Sequence, residues 1–357
     1  MSARLDGVRE RLKDLDALFV SSAENRRWLS GFSGSAGYLV ITGEAAVLAT
    51  DFRYTEQAGQ QAPDYRIHRI GGGMDWARDL FAELGAARVG FESADLTYAT
   101  YRSVTEALAT TAAVSFVPTT GVVEPLRMVK DDDEAALITR AVEIADLAFE
   151  AVAPTIEVGE TEESVAWRLD RTMREAGAEA VSFETIVAAG PNAAKPHHRP
   201  SERPIQAGEP VVIDMGARFK GYCSDMTRTI CLGPADETFR VVYDTVLGAQ
   251  LTAIATVNSG MNSGEIDAVA RDIIQQAGYG DQFGHSLGHG IGLAVHEHPR
   301  VGPRGDDAMA DGTVFTIEPG IYIPGWGGVR IEDTVIMEGG VVRTLNRAHK
   351  REDPRSA

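Results

Sequence analysis

One order of elements occurs twice in this 357-residue chain, and that repetition constrains its fold more than any other feature. Asp131 stands as an N-cap three residues before Glu134, the spacing of a capping box. Leu137, Ile138, Ala141, Ile144, Ala145, Ala148, Phe149 and Val152 follow with a 3.6-residue period, and Pro154 ends that helix. A second helix runs from Thr161 to Ala176 and stops at Gly177, a C′ position. A β-rich stretch occupies 183–232. Then the order returns: a long amphipathic helix over 237–257, a helix that follows Ser263 and ends before Gly278, and a β-rich stretch over 284–337. Gly159/Gly177 and Gly260/Gly278 share an internal spacing of 18. Helix pairs are common by chance, but here the whole order recurs at an offset of about a hundred residues, which indicates an internal duplication. Two such halves make one joint sheet with helices outside it and a cleft where the inner faces meet.

Residues 1–124 read differently. Short apolar runs at Ala17–Val20, Tyr38–Ile41, Ala46–Thr50, Arg88–Phe91 and Val114–Val117 predict strands. Helical patterns at Tyr54–Ala62, Asp75–Leu84 and Thr97–Ala109 lie between them, which is an α/β arrangement. No glycine-rich dinucleotide fingerprint or P-loop is present, and Gly71-Gly72-Gly73 reads as a turn. Pro118–Pro125 reads as the connection between domains. The expected division is therefore 1–124, an α/β domain; 125–347, an α+β domain with pseudo-two-fold duplication; and 348–357, a charged tail expected to fray.

Charge narrows the function. Asp plus Glu number 52 against 34 Lys plus Arg, a net charge of −18 that repels nucleic acid and anionic lipid. No run approaches the ~20 apolar residues of a membrane span, and Met1–Asp16 is charged throughout, unlike a signal peptide. Two cysteines, Cys223 and Cys231, are too few for a disulfide framework or a thiolate zinc site; they read as small strand residues. These features predict a soluble, cytoplasmic protein.

The chemistry gathers in carboxylates. Val211–Gly216 is a strand signal bearing Asp214, and Tyr222–Leu232 is a second bearing Asp225. A connection centred on Phe219 and Lys220 places Asp214 directly opposite Asp225, Cβ atoms about 5 Å apart. A register slip sending one of them to solvent is the alternative. Two opposed like charges on a buried face require a cation or a shared proton. The second half repeats the device: a turn centred on Gly325 places Glu318 opposite Glu332, with Arg330 on the same side of its strand as Glu332.

Four of the eight histidines fall in Gly284–His298, spaced by glycines that let the backbone approach a ligand closely. His197 and His198 form a second pair, on a loop. The zincin helix pattern is absent. Four carboxylates and one histidine balance two divalent cations, and oxygen-rich ligation favours Mn²⁺- or Co²⁺-like ions over a structural zinc. Two metals about 3.5–4 Å apart can hold and deprotonate a water, so hydrolysis is the implied reaction class.

At this point the chain resembles the pita-bread metallopeptidases, and within them the proline-specific branch of Xaa-Pro dipeptidases (prolidases) and Xaa-Pro aminopeptidases P. The matching stretches are Ile213–Ala217, Gly221–Thr229, Gly288–Glu297, Thr316–Gly320 and Val329–Thr334, in the family's order. At the front, Glu24–Phe32 and Thr50–Tyr54 look like that branch's creatinase-like N-terminal domain.

The resemblance implies two divalent ions per subunit, Mn²⁺ foremost with Co²⁺ or Zn²⁺ possible, on Asp214, Asp225, His289, Glu318 and Glu332. Glu318 also takes the proton of the nucleophilic water. His197, His285 and His296 match positions that bind substrate and stabilise the tetrahedral intermediate, and Arg330 matches one that orients Glu332. The filled ligand positions argue against a metal-free creatinase-like enzyme or a peptide-binding module. The expected substrate is a proline-containing dipeptide, with a longer peptide as the alternative, and the expected assembly is a homodimer. Tyr222 lines the site or packs, Trp326 sits on a rim or interface, and His68, His198, His298 and His349 are expected at the surface.

Overall fold

The computed structural model describes residues 2–110, 114–351 and 353. They form two compact units, Met1–Arg127 and Met128–Ala357. The division falls three residues past the expected one. Pro118 belongs to the edge strand Ser115–Thr119, where a missing N–H is tolerated, and Glu124–Met128 is a short helix.

In the first unit a six-stranded sheet has Ala17–Val20 near its middle, antiparallel to Tyr38–Thr42 and parallel to Arg88–Glu92. All five expected strands and the three helices form. Phe19, Phe81 and Phe91 are buried together, with Phe116 stacked on Phe91 at 4.3 Å. The structure adds the edge strand Arg66–Arg69 and the helix Ala23–Ser30. Neither carries an apolar period: Ile67 is the strand's one aliphatic residue, and the helix rests on its Ser22 N-cap.

The second unit contains the duplication. Asp132–Val152 and Glu162–Glu175 are the first helix pair, and Glu237–Thr256 and Ser263–Gln276 the second. The Asp131/Glu134 capping box forms as expected, and Asn262/Glu265 forms another. Each pair covers its own apolar core. Ile144, Leu169, Val211, Ile213 and Ile230 fill one, and Phe239, Ile266, Phe315, Ile317 and Val335 the other.

Polar side chains join the halves along the seam between strands Met226–Cys231 and Gly327–Arg330 and the turn after the latter. Thr229 Oγ1 donates to Arg330 O (2.8 Å) and accepts from Arg330 N (3.1 Å), and Thr334 Oγ1 donates to Asp225 O (2.8 Å). Glu332 N donates to Thr227 O (3.0 Å). Buried Arg228 donates to Glu332 O and pairs with fully buried Asp333 (2.8 Å).

The C-terminal segment is not frayed where it is described. Ala348 O accepts from Arg228 (2.9 Å), His349 meets Glu150, and Lys350 pairs with Asp333. Residues 352 and 354–357 of the expected tail lie outside the described residues. No described helix is long and apolar enough to cross a membrane.

Candidate metal centre

The register of the first acidic pair differs from expectation by two residues. Asp214, on strand Pro210–Met215, stands opposite Thr227, not Asp225. The turn is the reason. Lys220 and Gly221 both have positive φ, 47° and 87°, the type I′ pattern, so the hairpin is centred one residue later than a Phe219–Lys220 turn. A slip of two keeps the face, because side chains alternate with period two. Asp225 therefore still points with Asp214 into the cleft. The second register is as expected. Gly320 pairs with Arg330 and Ile317 with Asp333, which leaves Glu318 and Glu332 opposed between two ladder segments.

His289 enters from the short strand Gly288–Gly290. Its flanking glycines are obligatory: a Cβ on Gly288 would strike Thr316 O, and one on Gly290 would strike His298 O. The His289 Nδ1–H donates to Gly290 O (3.1 Å), which turns Nε2 towards Glu318 (3.3 Å) and Asp225 (3.6 Å). Ligand atoms of Asp225, His289 and Glu332 lie within 4.8 Å of one another.

The electrostatics are those of a cluster built for a cation. Burial and then the neighbouring carboxylates push Asp225 and Glu332 well above the usual carboxylate range, and burial raises Asp214. Burial is the largest influence on Glu318 and would raise it, but the bond and charge of His289 together with His285 and Arg330 hold it below its ordinary value. Burial is likewise the largest influence on His289 and would lower it, but the bond and charge of Glu318 together with Gly290 O and Asp214 raise its pKa. Asp214 Oδ1 and Glu332 Oε1 are buried with no hydrogen-bond partner. Leaving two carboxylate oxygens so is costly, and divalent cations satisfy both. The donor set of four carboxylates and one imidazole fits such ions.

Arg330, which the resemblance has orienting Glu332, does not bond it directly. Its Nη2 donates to Asp214 Oδ2 (2.7 Å), its Nη1 to the Tyr322 hydroxyl (2.8 Å) and its Nε to Thr227 Oγ1 (3.1 Å). Thr227 Oγ1 in turn donates to Glu332 Oε2 (2.6 Å), so the arginine reaches Glu332 through a threonine. Thr227 and Tyr322 are the residues that sequence reasoning left unassigned. Thr227 shares a face with Asp225 two positions before it, the one signal that pointed to it.

The Tyr322 hydroxyl also meets His285 Nε2 (3.0 Å), while His285 Nδ1–H donates to Ser286 O (2.8 Å). Burial lowers the His285 pKa, so the ring is neutral and Nε2 accepts from Tyr322. Both its nitrogens are thus engaged within the protein. His296 packs on His289, ring centroids 4.2 Å apart, and burial followed by the charge of His289 pushes its pKa down. His197 stands exposed on the cleft wall. The cleft encloses about 1690 Å³ and is lined also by Phe183, Ile186, Val295, Arg300 and Arg304.

The remaining residues divide. Tyr222 packs: it is buried and its hydroxyl donates to Glu134 (2.9 Å). Trp326 packs against the second core. Cys223 and Cys231 are buried and form no disulfide. His298 and His349 are exposed as expected. His68 is half-buried beside Trp76. His198, expected at the surface, turns inward onto Glu162 (2.9 Å).

An acidic, histidine-bearing cleft at the seam of a duplicated α+β unit, in a chain whose other unit is α/β, defines a pita-bread metallopeptidase. The chain belongs to metallopeptidase family M24, which matches residues 136–338, and residues 4–129 match the creatinase/prolidase N-terminal domain. Among particular relatives, the structure of an Xaa-Pro dipeptidase from Bacillus anthracis is similar with a TM-score of 0.95 and 40% identity, over 98% of each chain. An X-Pro aminopeptidase from Thermotoga maritima is similar with a TM-score of 0.87 and 36% identity, over 96% of this chain and 98% of the other. An Xaa-Pro dipeptidase from Pyrococcus horikoshii is 37% identical over 94% of each chain.

Proposed function

We propose that this protein hydrolyses the Xaa-Pro bond of dipeptides. The observation that carries this is the assembly of Asp214, Asp225, His289, Glu318 and Glu332 in one cleft, two of their oxygens buried without partners. These five residues hold the two divalent ions, Mn²⁺ foremost. Bound there, such ions supply Lewis acidity and acidify a water.

The protein's own groups do the rest. Ionised Glu318 takes the proton the attacking water loses and returns it to the proline nitrogen as the C–N bond breaks. His296, with its lowered pKa, and His197 face the cleft and donate to the carbonyl oxygen as charge develops on it. Neutral His285 keeps the Tyr322 hydroxyl in place, and Tyr322 and Arg330 brace Asp214.

Dipeptide preference requires a cation for the free carboxylate beside proline. Arg330 is committed to Asp214 and Arg271 to Asp267, and Arg199 pairs with Glu184 (3.3 Å). Arg300, whose Nε meets Ser286 Oγ (3.4 Å), and Arg304, both exposed, are the guanidinium groups on the cleft wall that can take it, and Arg304 makes no such side-chain bond to any described residue. The open cleft and the likeness to an aminopeptidase favour a second reading, removal of the residue before proline from longer peptides. A cytoplasmic homodimer completes the proposal, supported by the acidic charge, the presence of two cysteines with no disulfide between them and the resemblance to the proline-specific branch.

Hydrolysis of Ala-Pro and Ala-Pro-Ala by chelator-stripped protein, with and without Mn²⁺, tests this. Metal-dependent cleavage of Ala-Pro is expected. Cleavage of Ala-Pro-Ala alone would select the second reading, and cleavage of neither in any divalent ion would overturn both.

A further inference from the structure

His197 has no hydrogen bond of its own to any described residue, so its place on the cleft wall is set by its backbone. That backbone belongs to the segment between strand Ile186–Ala189 and Ser201, a 3₁₀ helix over Gly190–Ala194 followed by irregular chain. Both ends of the segment converge on one side chain, Glu162, in the first turn of the helix Glu162–Glu175. The Glu162 side chain is 0% exposed. Its Oε1 accepts from Ala189 N (2.8 Å) and Asn192 Nδ2 (3.0 Å). Its Oε2 accepts from His198 Nε2 (2.9 Å), Ser201 N (3.1 Å) and Ser201 Oγ (2.6 Å). These donors fill the roughly four lone-pair sites of a carboxylate, which an ionised acid alone can offer together.

The duplication shows what is special here. In the second half, helix Ser263–Gln276 also grips a rim loop by its N-terminus: Ser263 N donates to Asp307 O (3.0 Å) and Gly264 N to Gly305 O (3.0 Å). In the first half, Glu162 N and Glu163 N grip Arg203 O (3.2 Å) and Ser201 O (3.1 Å) in the same way. That backbone grip is common to both halves. At the matching position the second half has Ser263, whose hydroxyl accepts from Asp307 N (3.2 Å), whereas the first half has a buried carboxylate that reaches past the grip to Ala189, Asn192 and His198, on either side of His197. Burying an acid among neutral amides and hydroxyls costs more than an apolar residue unless every lone pair is used. Burial alone would raise the Glu162 pKa, but these donors bring it below its ordinary value.

We propose that Glu162 is the positioning residue of His197: its carboxylate ties both ends of the 189–201 segment together and so fixes where the His197 ring stands. This rests on the Xaa-Pro reading only for what His197 does, not for how it is held. Glu162→Gln keeps the shape and turns an amide N–H₂ onto donors. The expected results are faster hydrogen exchange in 190–201 with the rest of the chain unchanged, and a fall in kcat for Ala-Pro of about 10²-fold at unchanged metal content, the scale of a misplaced catalytic group. Combined with His197→Ala, Glu162→Gln should cost little more than His197→Ala alone, because residues acting through one group are not additive.

Unchanged exchange in 190–201, or losses that multiply in the double variant, would overturn the proposal. Should Glu162→Gln fail to fold, Ser201→Ala removes one donor and is expected to give the same pattern, weaker; an unchanged 190–201 segment there would again overturn it. If the wild-type protein cuts no Xaa-Pro peptide, the functional reading fails, and the exchange measurement still decides the role of Glu162.

Discussion

Arg330 bonds one oxygen of Asp214 at 2.7 Å and leaves the other buried and without a partner. The arginine thereby fixes which oxygen faces the cluster. Arg330→Lys keeps a positive charge but cannot reach Asp214, Tyr322 and Thr227 together, since the planar fork is lost. It is expected to weaken Mn²⁺ binding by about 10- to 100-fold, as loss of a ligand-orienting group does. Metal titration by calorimetry checks this; an affinity equal to wild type would show that Asp214 needs no brace.

Asp225 sits among Glu332, Asp214 and Glu318, each of which raises its pKa after burial has done so. Asp225→Asn removes one member of that buried like-charge group. The metal-free variant is expected to be more stable than the metal-free wild type by about 1 kcal/mol, while no longer gaining stability from Mn²⁺. Thermal melts in chelator and in excess Mn²⁺ measure both halves of that statement.

The same raised values set a pH dependence. Asp225 and Glu332 hold their protons in the folded, metal-free protein above an unfolded pKa of about 4. In that window the folded state binds more protons than the unfolded state, so stability falls as pH rises. Metal-free protein is expected to melt at a lower temperature near pH 7 than near pH 5. Mn²⁺ is expected to stabilise more as pH rises, because its ligands must lose protons to bind it. A metal-free melting temperature that climbs over this interval would contradict the assignment of the buried acids.

Arg304→Ala is expected to raise KM for Ala-Pro by about 10-fold or more, the worth of a charge-assisted contact, and to leave KM for Ala-Pro-Ala nearly unchanged. Equal effects on both substrates would remove Arg304 from carboxylate recognition.

Lys350 lies in a charged segment expected to fray, and here it is packed. Its ammonium neutralises Asp333, which is fully buried and also held by Arg228 and Gln250 (2.8 Å). Lys350→Met is expected to lower stability by about 2 kcal/mol, less than breaking an isolated buried pair because two partners remain. Urea unfolding checks the size of the loss.

What could be read from the chain and what could not follow one physical line. Helices with a 3.6-residue apolar period, their Asp131 cap and the terminal glycines are local signals, and those elements formed where expected. The Glu318/Glu332 register was legible because a glycine-rich turn, Pro324–Gly328, marked its own centre. The Asp214/Asp225 register was not, because Lys220 adopts a positive φ that its residue type does not announce. The roles of Thr227, His198 and Glu162 rest on contacts between residues 27 to 105 positions apart, which no window of sequence displays.

The seam between the halves carries a further consequence. A buried apolar cluster of Ile138, Val142 and Tyr222 from the first half with Ile291, Val314 and Ile336 from the second backs the joint, and beside the ligands Thr229, Thr334 and Arg228 close it with hydroxyls and a guanidinium. The candidate ligands stand on both sides of that joint, Asp214 and Asp225 on one and His289, Glu318 and Glu332 on the other, so whatever fills the cleft also acts as a rivet between the two plates.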